Sequence, residues 1–276
     1  MIRKNLPFGP LEYQRRLSKT RHAMQAADLD MLFITDPSNM AWLTGYDGWS
    51  FYVHQGVIIP ADSDPVWWGR SQDANGALRT VWMSDDRIHG YADYFVQSNE
   101  RHPMQDLARW LQEYRAGAKR IGVELDNYYY SAKAHQVLCE TLAKISPGVT
   151  LQDATALVNW QRCIKSNEEI TFMRKAARIS EKIIDGLFAR VEPGIAKNDI
   201  VAEVYGDALR GFEDIWGDYP AIEPLLPSGS DATAPHLTWD GRAFKTGEAT
   251  FFGISGCYRR YHAPFCQTIF LRHTPG

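Results

Sequence analysis

A helix-start signal near the middle of the chain constrains the fold most. Ser166 is followed three residues later by Glu169, which is the spacing of a capping box. In this motif the serine hydroxyl accepts a backbone N–H of the first turn, and the glutamate accepts the N–H of the serine. The pattern predicts a long helix that runs to about Val191, and Pro193-Gly194 stops it. Its predicted apolar face is formed by Ile170, Met173, Ala177, Ile184, Leu187 and Val191.

The part of the chain before this helix alternates between helical and strand-like segments. Apolar residues follow a helical period over 11–27 and 102–116, and short apolar runs typical of buried strands cover 29–35, 57–60, 66–68 and 120–125. Such alternation is typical of a mixed or parallel sheet with helices packed on it. We therefore predict an α/β domain over residues 1–160, with the domain boundary between Leu157 and Ser166.

The part that starts at residue 161 has fewer elements. After the long helix, the sequence predicts a second helix over 199–209 and strands over 223–226, 249–254 and 266–271. Two helices and a few strands are too few elements to enclose the core of a domain of roughly 110 residues. The sequence therefore predicts that residues 161–276 form an incomplete α+β domain and that the chain is a fragment or a shortened form of a longer protein.

The overall composition excludes several classes of protein. The 276 residues carry a formal net charge of −3 and show no basic patch, which argues against a nucleic-acid partner. There is no apolar run of about 18 residues and no apolar signal-peptide region at the start, so we predict a cytoplasmic protein without a membrane span. The four cysteines are not spaced as a zinc module and are predicted to be reduced thiols: Cys139, Cys163, Cys257 and Cys266.

His236 is the candidate catalytic residue. It follows Pro235 in a polar segment between predicted strands, after a Ser-Gly turn. Imidazole titrates near neutral pH, so it can both accept and donate a proton as a general acid or base. The alternative, which spacing alone favours, is a loop histidine whose ring is satisfied by a backbone carbonyl.

Several polar and aromatic residues are candidates for substrate binding. His262 lies in the run RRYHAPF beside two tyrosines and two arginines, which suits a wall that orients an anionic substrate, although an edge strand with solvated charges explains the same pattern. His54 lies in an aromatic stretch whose rings suit either a core or a cation–π contact. The candidate substrate-binding residues are Phe51, His54, Trp216, Tyr219, Glu223, Tyr258, Tyr261 and His262.

A family resemblance rests on four short motifs. The run KSNEEITFMRKAA at 165–177, the Glu192–Gly194 turn, Ser228-Gly229 and Pro235-His236 together resemble the creatinase/prolidase/aminopeptidase P family (M24). The resemblance implies a creatinase-like N-terminal domain over 1–160 and the first half of a pita-bread catalytic domain over 161–276, with His236 in the active site. It also implies a homodimer in which the N-terminal domain of one subunit closes over the pocket of the other, so that Phe51 and His54 act in trans.

The chain departs from this family at its metal ligands. Metal-dependent members carry two aspartates separated by ten residues, and the matching positions here are Gly253 and Pro264. No acidic residue follows Glu248, so a shift of register does not supply one. Two divalent ions need several oxygen or nitrogen ligands. We therefore expect neither a metal nor another cofactor.

Two longer runs point to one branch of the family. The runs TWDGRAFKTGEATFFGISGCYRRYHAPFCQT and NMAWLTGYDGWSFYVHQGV are most similar to the branch that hydrolyses ectoine. The resemblance implies metal-independent opening of the cyclic amidine of this small zwitterion to an N-acetyl-diaminobutyrate that a deacetylase then consumes, and it leaves open whether hydroxyectoine is also a substrate. The alternatives are a metal-dependent Xaa-Pro peptidase and a catalytically inactive ligand-binding module.

Overall fold

The chain folds into two compact units, Met1–Ile164 and Lys165–Gly276. The computed structural model describes residues 6–114 and 117–271, so the last two residues of the predicted helix 102–116 lie outside the described residues. No helix in the described ranges is both long and apolar enough to cross a membrane.

The first unit is a six-stranded mixed sheet with helices on both faces. Its strands lie in the order β4-β3-β2-β1-β5-β6, with β1–β2 and β2–β3 antiparallel and the other pairs parallel. The strands are β1 (Met31–Ile34), β2 (Gly56–Pro60), β3 (Val66–Arg70), β4 (Ile88–Tyr91), β5 (Arg120–Val123) and β6 (Thr150–Asp153). The helices are α1 (Pro10–Ala26), α2 (Pro37–Thr44), α3 (Ser71–Thr80), α4 (Pro103–Tyr114), α5 (Ala132–Ile145) and α6 (Leu157–Cys163).

The central strands are buried on both faces, which explains their continuous apolar sequence. In β1, Phe33 belongs to the core that α4 and α5 cover, whereas Leu32 and Ile34 belong to the core on the side of α1 and α2. A strand covered on both faces cannot alternate apolar and polar residues. The predicted α/β layering is confirmed, whereas β4, β6, α2, α3, α5 and α6 were not predicted.

A buried carboxylate joins the carboxyl ends of two parallel strands in this unit. Glu124, directly after β5, accepts the backbone N–H groups of Thr35 at 2.6 Å and Asp36 at 2.8 Å, and the side-chain amide of Asn39 at 2.6 Å. The carbonyl oxygen of the Asn39 side chain accepts from the Arg162 guanidinium at 2.7 Å. Ligands often bind where parallel strands end in this way. Here the protein fills that position with its own satisfied polar network.

The second unit consists of two helices packed on a β-hairpin. Its elements are α7 (Asn167–Arg190), α8 (Lys197–Arg210), β7 (Ala249–Tyr258) and β8 (Tyr261–Phe270). The capping box is confirmed, because the Ser166 hydroxyl accepts the Glu169 N–H and the Glu169 carboxylate accepts the Ser166 N–H. The strand predicted over 223–226 is not a named strand: two isolated bridges, Leu225 to Gly253 and Ser228 to Thr250, hold this segment beside β7.

The buried face of α7 differs from the predicted one by about one residue, or roughly 100° around the helix. Leu187 and Val191 are buried as predicted, but Met173 is exposed and Ile170, Ala177 and Ile184 are only half-buried. The residues that face the core are Ala176, Ile179, Ser180, Ile183 and Leu187. The prediction counted only large apolar side chains. The small side chains of Ala176 and Ser180 are the ones that allow the hairpin to pack closely against α7.

Ser180 and Gly256 fix the hairpin to the helix. The Ser180 hydroxyl accepts the Gly256 N–H at 2.9 Å and donates to the Ala263 carbonyl at 2.6 Å, so one side chain binds both strands. The backbones are so close that a Cβ on Gly256 would lie 2.5 Å from the Ala176 carbonyl oxygen and 2.7 Å from the Ser180 nitrogen. Both neighbours are helix backbone atoms and cannot move aside.

We expect Gly256→Ala to lower the free energy of unfolding of this unit by about 3 kcal/mol, because the methyl group forces the hairpin away from α7. Gly206→Ala is the matched control, since its Cβ would meet only the flexible end of the Arg210 side chain. The control should be neutral or stabilising by up to about 1 kcal/mol. Urea denaturation of the two variants measures the difference, and equal stabilities would contradict the close approach.

Candidate active site

The two faces of the hairpin have different surroundings. The pairing register places Tyr258 opposite Tyr261 and Cys257 opposite His262. Because side chains alternate along a strand, the tyrosine pair lies on one face and the Cys257–His262 pair on the other. The tyrosine face is the one that carries Gly256 and packs on α7. The opposite face carries His262 together with Gly253 and Pro264.

On the first face, Tyr258 and Tyr261 pack on the start of α7. The Phe172 ring lies edge-on to both tyrosines, with ring centroids 5.4 Å and 5.7 Å apart. The Tyr261 hydroxyl donates to the Glu169 carboxylate at 2.9 Å, and the Lys175 ammonium lies 4.9 Å from the centre of the Tyr258 ring. Glu169 thus caps the helix and also binds the hairpin.

Trp216 and Tyr219 lie against the two-residue turn of the hairpin. The Arg259 guanidinium lies 5.5 Å from the centre of the Trp216 ring, and that of Arg260 lies 4.0 Å from the centre of the Tyr219 ring. The Trp216 ring also contacts Tyr258, with centroids 5.9 Å apart. These are cation–π distances, so the arginines are held on aromatic faces at the hairpin end.

His262, on the opposite face, has both ring nitrogens bound to backbone. Its Nε2 accepts the Ala221 N–H at 2.9 Å, and its Nδ1 donates to the Arg260 carbonyl at 3.0 Å. This pair of bonds fixes the neutral tautomer, and burial lowers the pKa of the ring. His262 therefore holds in place the segment that carries Glu223.

Glu223 is exposed and lies next to residues that the sequence did not single out. Its carboxylate accepts a hydrogen bond from the Tyr205 hydroxyl on α8. Partial burial and this carboxylate raise the pKa of Tyr205 to about 12. The Tyr205 ring lies edge-on to Trp239, with centroids 6.3 Å apart. No motif marks Tyr205 or Trp239, because each is an isolated aromatic residue in the sequence. Only the packing of Trp239 against Tyr205 of α8 brings them to the site.

His236 lies in an exposed turn after a short 3-10 helix at Gly229–Thr233. Two residues further on, the Thr238 carbonyl accepts the Leu226 N–H at 3.0 Å, and the adjacent Leu225 pairs with Gly253. This places the His236 turn beside the Gly253 part of β7. Tyr258 is five residues further along the strand, about 16 Å away at roughly 3.3 Å per residue. Among the described residues the His236 ring has no hydrogen-bond partner, so it is open to a ligand.

The predicted residues of the second unit therefore fall into two groups. Trp216, Tyr219, Tyr258 and Tyr261 gather at the hairpin turn and on the α7 face. The other group follows the opposite face and its flank: His236, Glu223 and His262. The structure does not bring the two groups together as one cluster.

Phe51 and His54 belong to the first unit. The Phe51 ring lies 5.8 Å from Tyr129, and the His54 ring lies 4.8 Å from His102. Burial lowers the pKa of His54, and burial together with the neighbouring His54 lowers the pKa of His102 to about 4. Their predicted role in trans stays a prediction.

The positions of the expected metal ligands do not fit a metal pair. Gly253 and Pro264 lie on the same face of the hairpin, where two carboxylates would converge, but neither side chain offers a donor atom. A Cβ on Gly253 would lie 3.0 Å from Leu225 Cδ1, so an apolar side chain borders that space. Across residues 6–114 and 117–271, no three His, Cys, Asp or Glu side chains form a group suited to a metal ion.

A mixed sheet with helices on both faces, followed by a unit of helices packed on a hairpin, is the arrangement of the pita-bread fold that solved prolidase structures share. The creatinase/prolidase N-terminal domain model matches residues 16–164, and the metallopeptidase family M24 model matches residues 171–275. The chain belongs to the creatinase/prolidase family. The family resemblance is thereby confirmed, as is the fold class of a creatinase-like N-terminal domain followed by a pita-bread domain, whereas the predicted incompleteness of the second domain stays a prediction.

Individual relatives support the same assignment. The chain is 49% identical over 281 residues to an ectoine hydrolase of Halomonas elongata, covering 100% of this chain and 69% of that protein. It is 39% identical over 98% of its length to an uncharacterised hydrolase/peptidase of Sinorhizobium fredii, of which it covers 68%. An Xaa-Pro dipeptidase from Bacillus anthracis has the same fold, with a TM-score of 0.74 at 16% identity over 95% of this chain and 66% of that one. The chain thus spans about two thirds of the length of these relatives.

The geometry of His262 predicts a pH-dependent stability. A ring whose pKa is lowered by folding stabilises the protein above the pKa of the unfolded state, about 6.5, and this stability is lost as the pH falls. Protonation of Nε2 removes its bond to the Ala221 N–H.

The variant His262→Gln tests this, because its side chain retains a hydrogen-bond acceptor that does not titrate. We expect the wild type to lose more stability than this variant between pH 7.5 and pH 5.5, a window set by the unfolded histidine pKa of about 6.5, as measured by urea denaturation. A pH-independent difference between the two proteins would show that His262 does not titrate in this way.

Proposed function

We propose that the protein is a cytoplasmic, metal-independent hydrolase that opens the cyclic amidine ring of ectoine and yields N-acetyl-L-2,4-diaminobutyrate. The observation that carries this proposal is the 49% identity to an ectoine hydrolase along the whole of this chain. The positions of Gly253 and Pro264 support the metal-independent reaction, because they supply no ligand where metal-dependent relatives have two.

The chemistry suits a site without a metal. The carbon of an amidinium is already electrophilic, since the positive charge is shared over two nitrogens. One water is consumed: its oxygen bonds to this carbon, one ring C–N bond breaks, and the released ring nitrogen takes a proton. The acetamido group of the product retains the amidine carbon. The protein must therefore orient the ring, accept a proton from the attacking oxygen and deliver one to the leaving nitrogen.

We assign the proton transfer to His236 and the contact with the amidinium to Glu223. The His236 ring has no hydrogen-bond partner among the described residues, and its turn flanks the hairpin face that carries Gly253. The Glu223 carboxylate is exposed and is oriented by the Tyr205 hydroxyl, so it can pair with a cationic ring. His262 is a positioning residue that holds the Glu223 segment through the Ala221 N–H.

The size of the substrate limits which residues touch it. A six-membered ring with one carboxylate is much shorter than the distance of about 16 Å between the His236 end of β7 and the hairpin turn. In this proposal the substrate therefore lies between His236 and Glu223 on the Gly253 side of the hairpin, and not at the turn with Trp216.

We further propose a homodimer in which Phe51 and His54 contact the substrate of the partner subunit, and a deacetylase that consumes the product. The support for the contact in trans is the aromatic segment around Phe51 and its proximity to Tyr129. An unchanged KM and kcat after His54→Ala would contradict this contact.

Proton NMR of ectoine incubated with the chelator-treated 276-residue protein tests the proposal. We expect the ring signals to be replaced by those of N-acetyl-diaminobutyrate, at a rate that added divalent ions do not change. Stoichiometric manganese or zinc in the purified protein, together with cleavage of an Xaa-Pro dipeptide, would instead establish the peptidase. Tight binding of ectoine without turnover would identify an inactive ligand-binding module.

His236→Ala should lower kcat by about 10²–10⁴-fold, which is the usual contribution of a general acid or base. The loss should fall on kcat more than on KM, because the histidine acts on the transition state rather than on the bound ring. Thr233→Ala is the control, since its exposed hydroxyl bonds only to the Ser230 carbonyl within the preceding turn. A His236→Ala variant with the full rate in the same NMR assay would remove this residue from the mechanism.

A further inference from the structure

The turn of the β7–β8 hairpin has an unusual backbone. Tyr258 pairs directly with Tyr261, so the loop has two residues, Arg259 and Arg260. Both have positive φ, 50° and 67°. A two-residue hairpin loop with positive φ at both positions is usually Asn-Gly or Asp-Gly, because those residues tolerate the left-handed region. Two arginines in this region are strained, and such strain concentrates at functional positions.

The cations around this turn are stacked on aromatic rings. Arg259 lies over Trp216, Arg260 over Tyr219 and Lys175 over Tyr258. We call this surface the tip patch, formed by Lys175, Trp216, Tyr219, Tyr258, Arg259 and Arg260. The aromatic members remain accessible, since Trp216 is 48% and Tyr219 43% exposed. The rings orient the cations without neutralising them.

Two carboxylates near the tip patch, Glu169 and Asp218, already accept hydrogen bonds. Glu169 is buried and accepts the Ser166 N–H and the Tyr261 hydroxyl. The Asp218 carboxylate accepts the backbone N–H of Arg260 at 3.3 Å. Within the described residues, no hydrogen bond or ion pair joins the side chains of Lys175 and Arg259 to a carboxylate. These two cations therefore retain the capacity to bind acidic groups from another molecule.

We propose that the tip patch binds an acidic polypeptide segment of a partner protein. Its two uncompensated cations lie on different aromatic rings, Tyr258 and Trp216, so several carboxylates along one chain match them better than a single carboxylate does. Arginine, tryptophan and tyrosine are also the residues that contribute most at protein interfaces. The strained turn fixes Arg259 in advance, which reduces the entropy lost on binding.

Fluorescence polarisation of labelled hexaglutamate with the 276-residue protein tests the proposal. We expect hexaglutamate to bind, with an affinity that falls as the salt concentration rises, whereas labelled hexaglutamine does not bind. Arg259→Asn should weaken binding by about tenfold, since it removes a charge-assisted contact, and Arg259→Lys should weaken it less. Because asparagine tolerates positive φ, the Asn variant should keep or raise the Tm, which separates a binding role from a structural one.

Arg174→Asn is the matched control. Arg174 is an exposed arginine of α7 beside Lys175 and outside the tip patch, and its replacement removes the same charge. The affinity of this variant for hexaglutamate should stay within about twofold of that of the wild type.

An equal loss of hexaglutamate affinity in this control, or free glutamate binding as tightly as the peptide, would overturn the proposal. Self-association that Arg259→Asn abolishes, with no peptide binding, would assign the tip patch to a second copy of the chain and would also overturn it. If Arg259→Asn does not fold, Lys175→Gln provides the same comparison.

Discussion

The contact between Ser180 and Gly256 determines how the second unit is organised. One buried hydroxyl binds the Gly256 N–H and the Ala263 carbonyl, which lie opposite each other on β7 and β8. The missing side chain at Gly256 lets both strands reach the helix backbone. This contact decides which face of the hairpin is buried against α7. Alternate residues of a strand share one face, so the residues on the same face as Gly256 must face the helix. Every other residue of the hairpin is then assigned to one face or the other.

The two faces take different parts in the proposed reaction for this reason. Tyr258 and Tyr261 face the helix, and the Tyr261 hydroxyl donates to the capping residue Glu169. His262 faces the other side, where its two backbone bonds hold the segment of Glu223 against the hairpin. Gly253 and Pro264 lie on that same side and leave it without the carboxylates that a metal pair requires. The proposed reaction therefore depends on proton transfer and charge pairing by His236 and Glu223.

Local signals in the sequence were sufficient for part of this structure. The capping box of Ser166 and Glu169 involves residues three apart, so their spacing predicts the start of α7 directly. The buried strands of the first unit were predictable because burial on both faces leaves continuous apolar runs. The face of α7 was predicted about one residue off, since the close approach of the hairpin depends on small residues that an apolar pattern does not register. The segment 223–226 was predicted as a regular strand, whereas Leu225 forms only an isolated bridge with β7, because nothing in the local sequence marks where the pairing is interrupted.

The candidate site was predictable only residue by residue. His236 and Glu223 were selected by chemical type, and His262 by the polar run around it, but their arrangement depends on contacts between distant segments. The Tyr205 hydroxyl reaches Glu223 across 18 positions of sequence, and the His262 ring reaches Ala221 across 41. Tyr258 and His262 are close in sequence, and only the pairing register shows that they lie on opposite faces.

Amide chemical shifts on titration with ectoine test the division of the hairpin most directly. We expect the amides of Ala221, Glu223, Ser255 and His262 to shift with a common dissociation constant, while the Trp216 indole N–H and the amides of Tyr258 and Arg259 do not shift. Shifts centred on Trp216 and Tyr258, with Glu223 unaffected, would place the ligand at the hairpin turn and contradict the account.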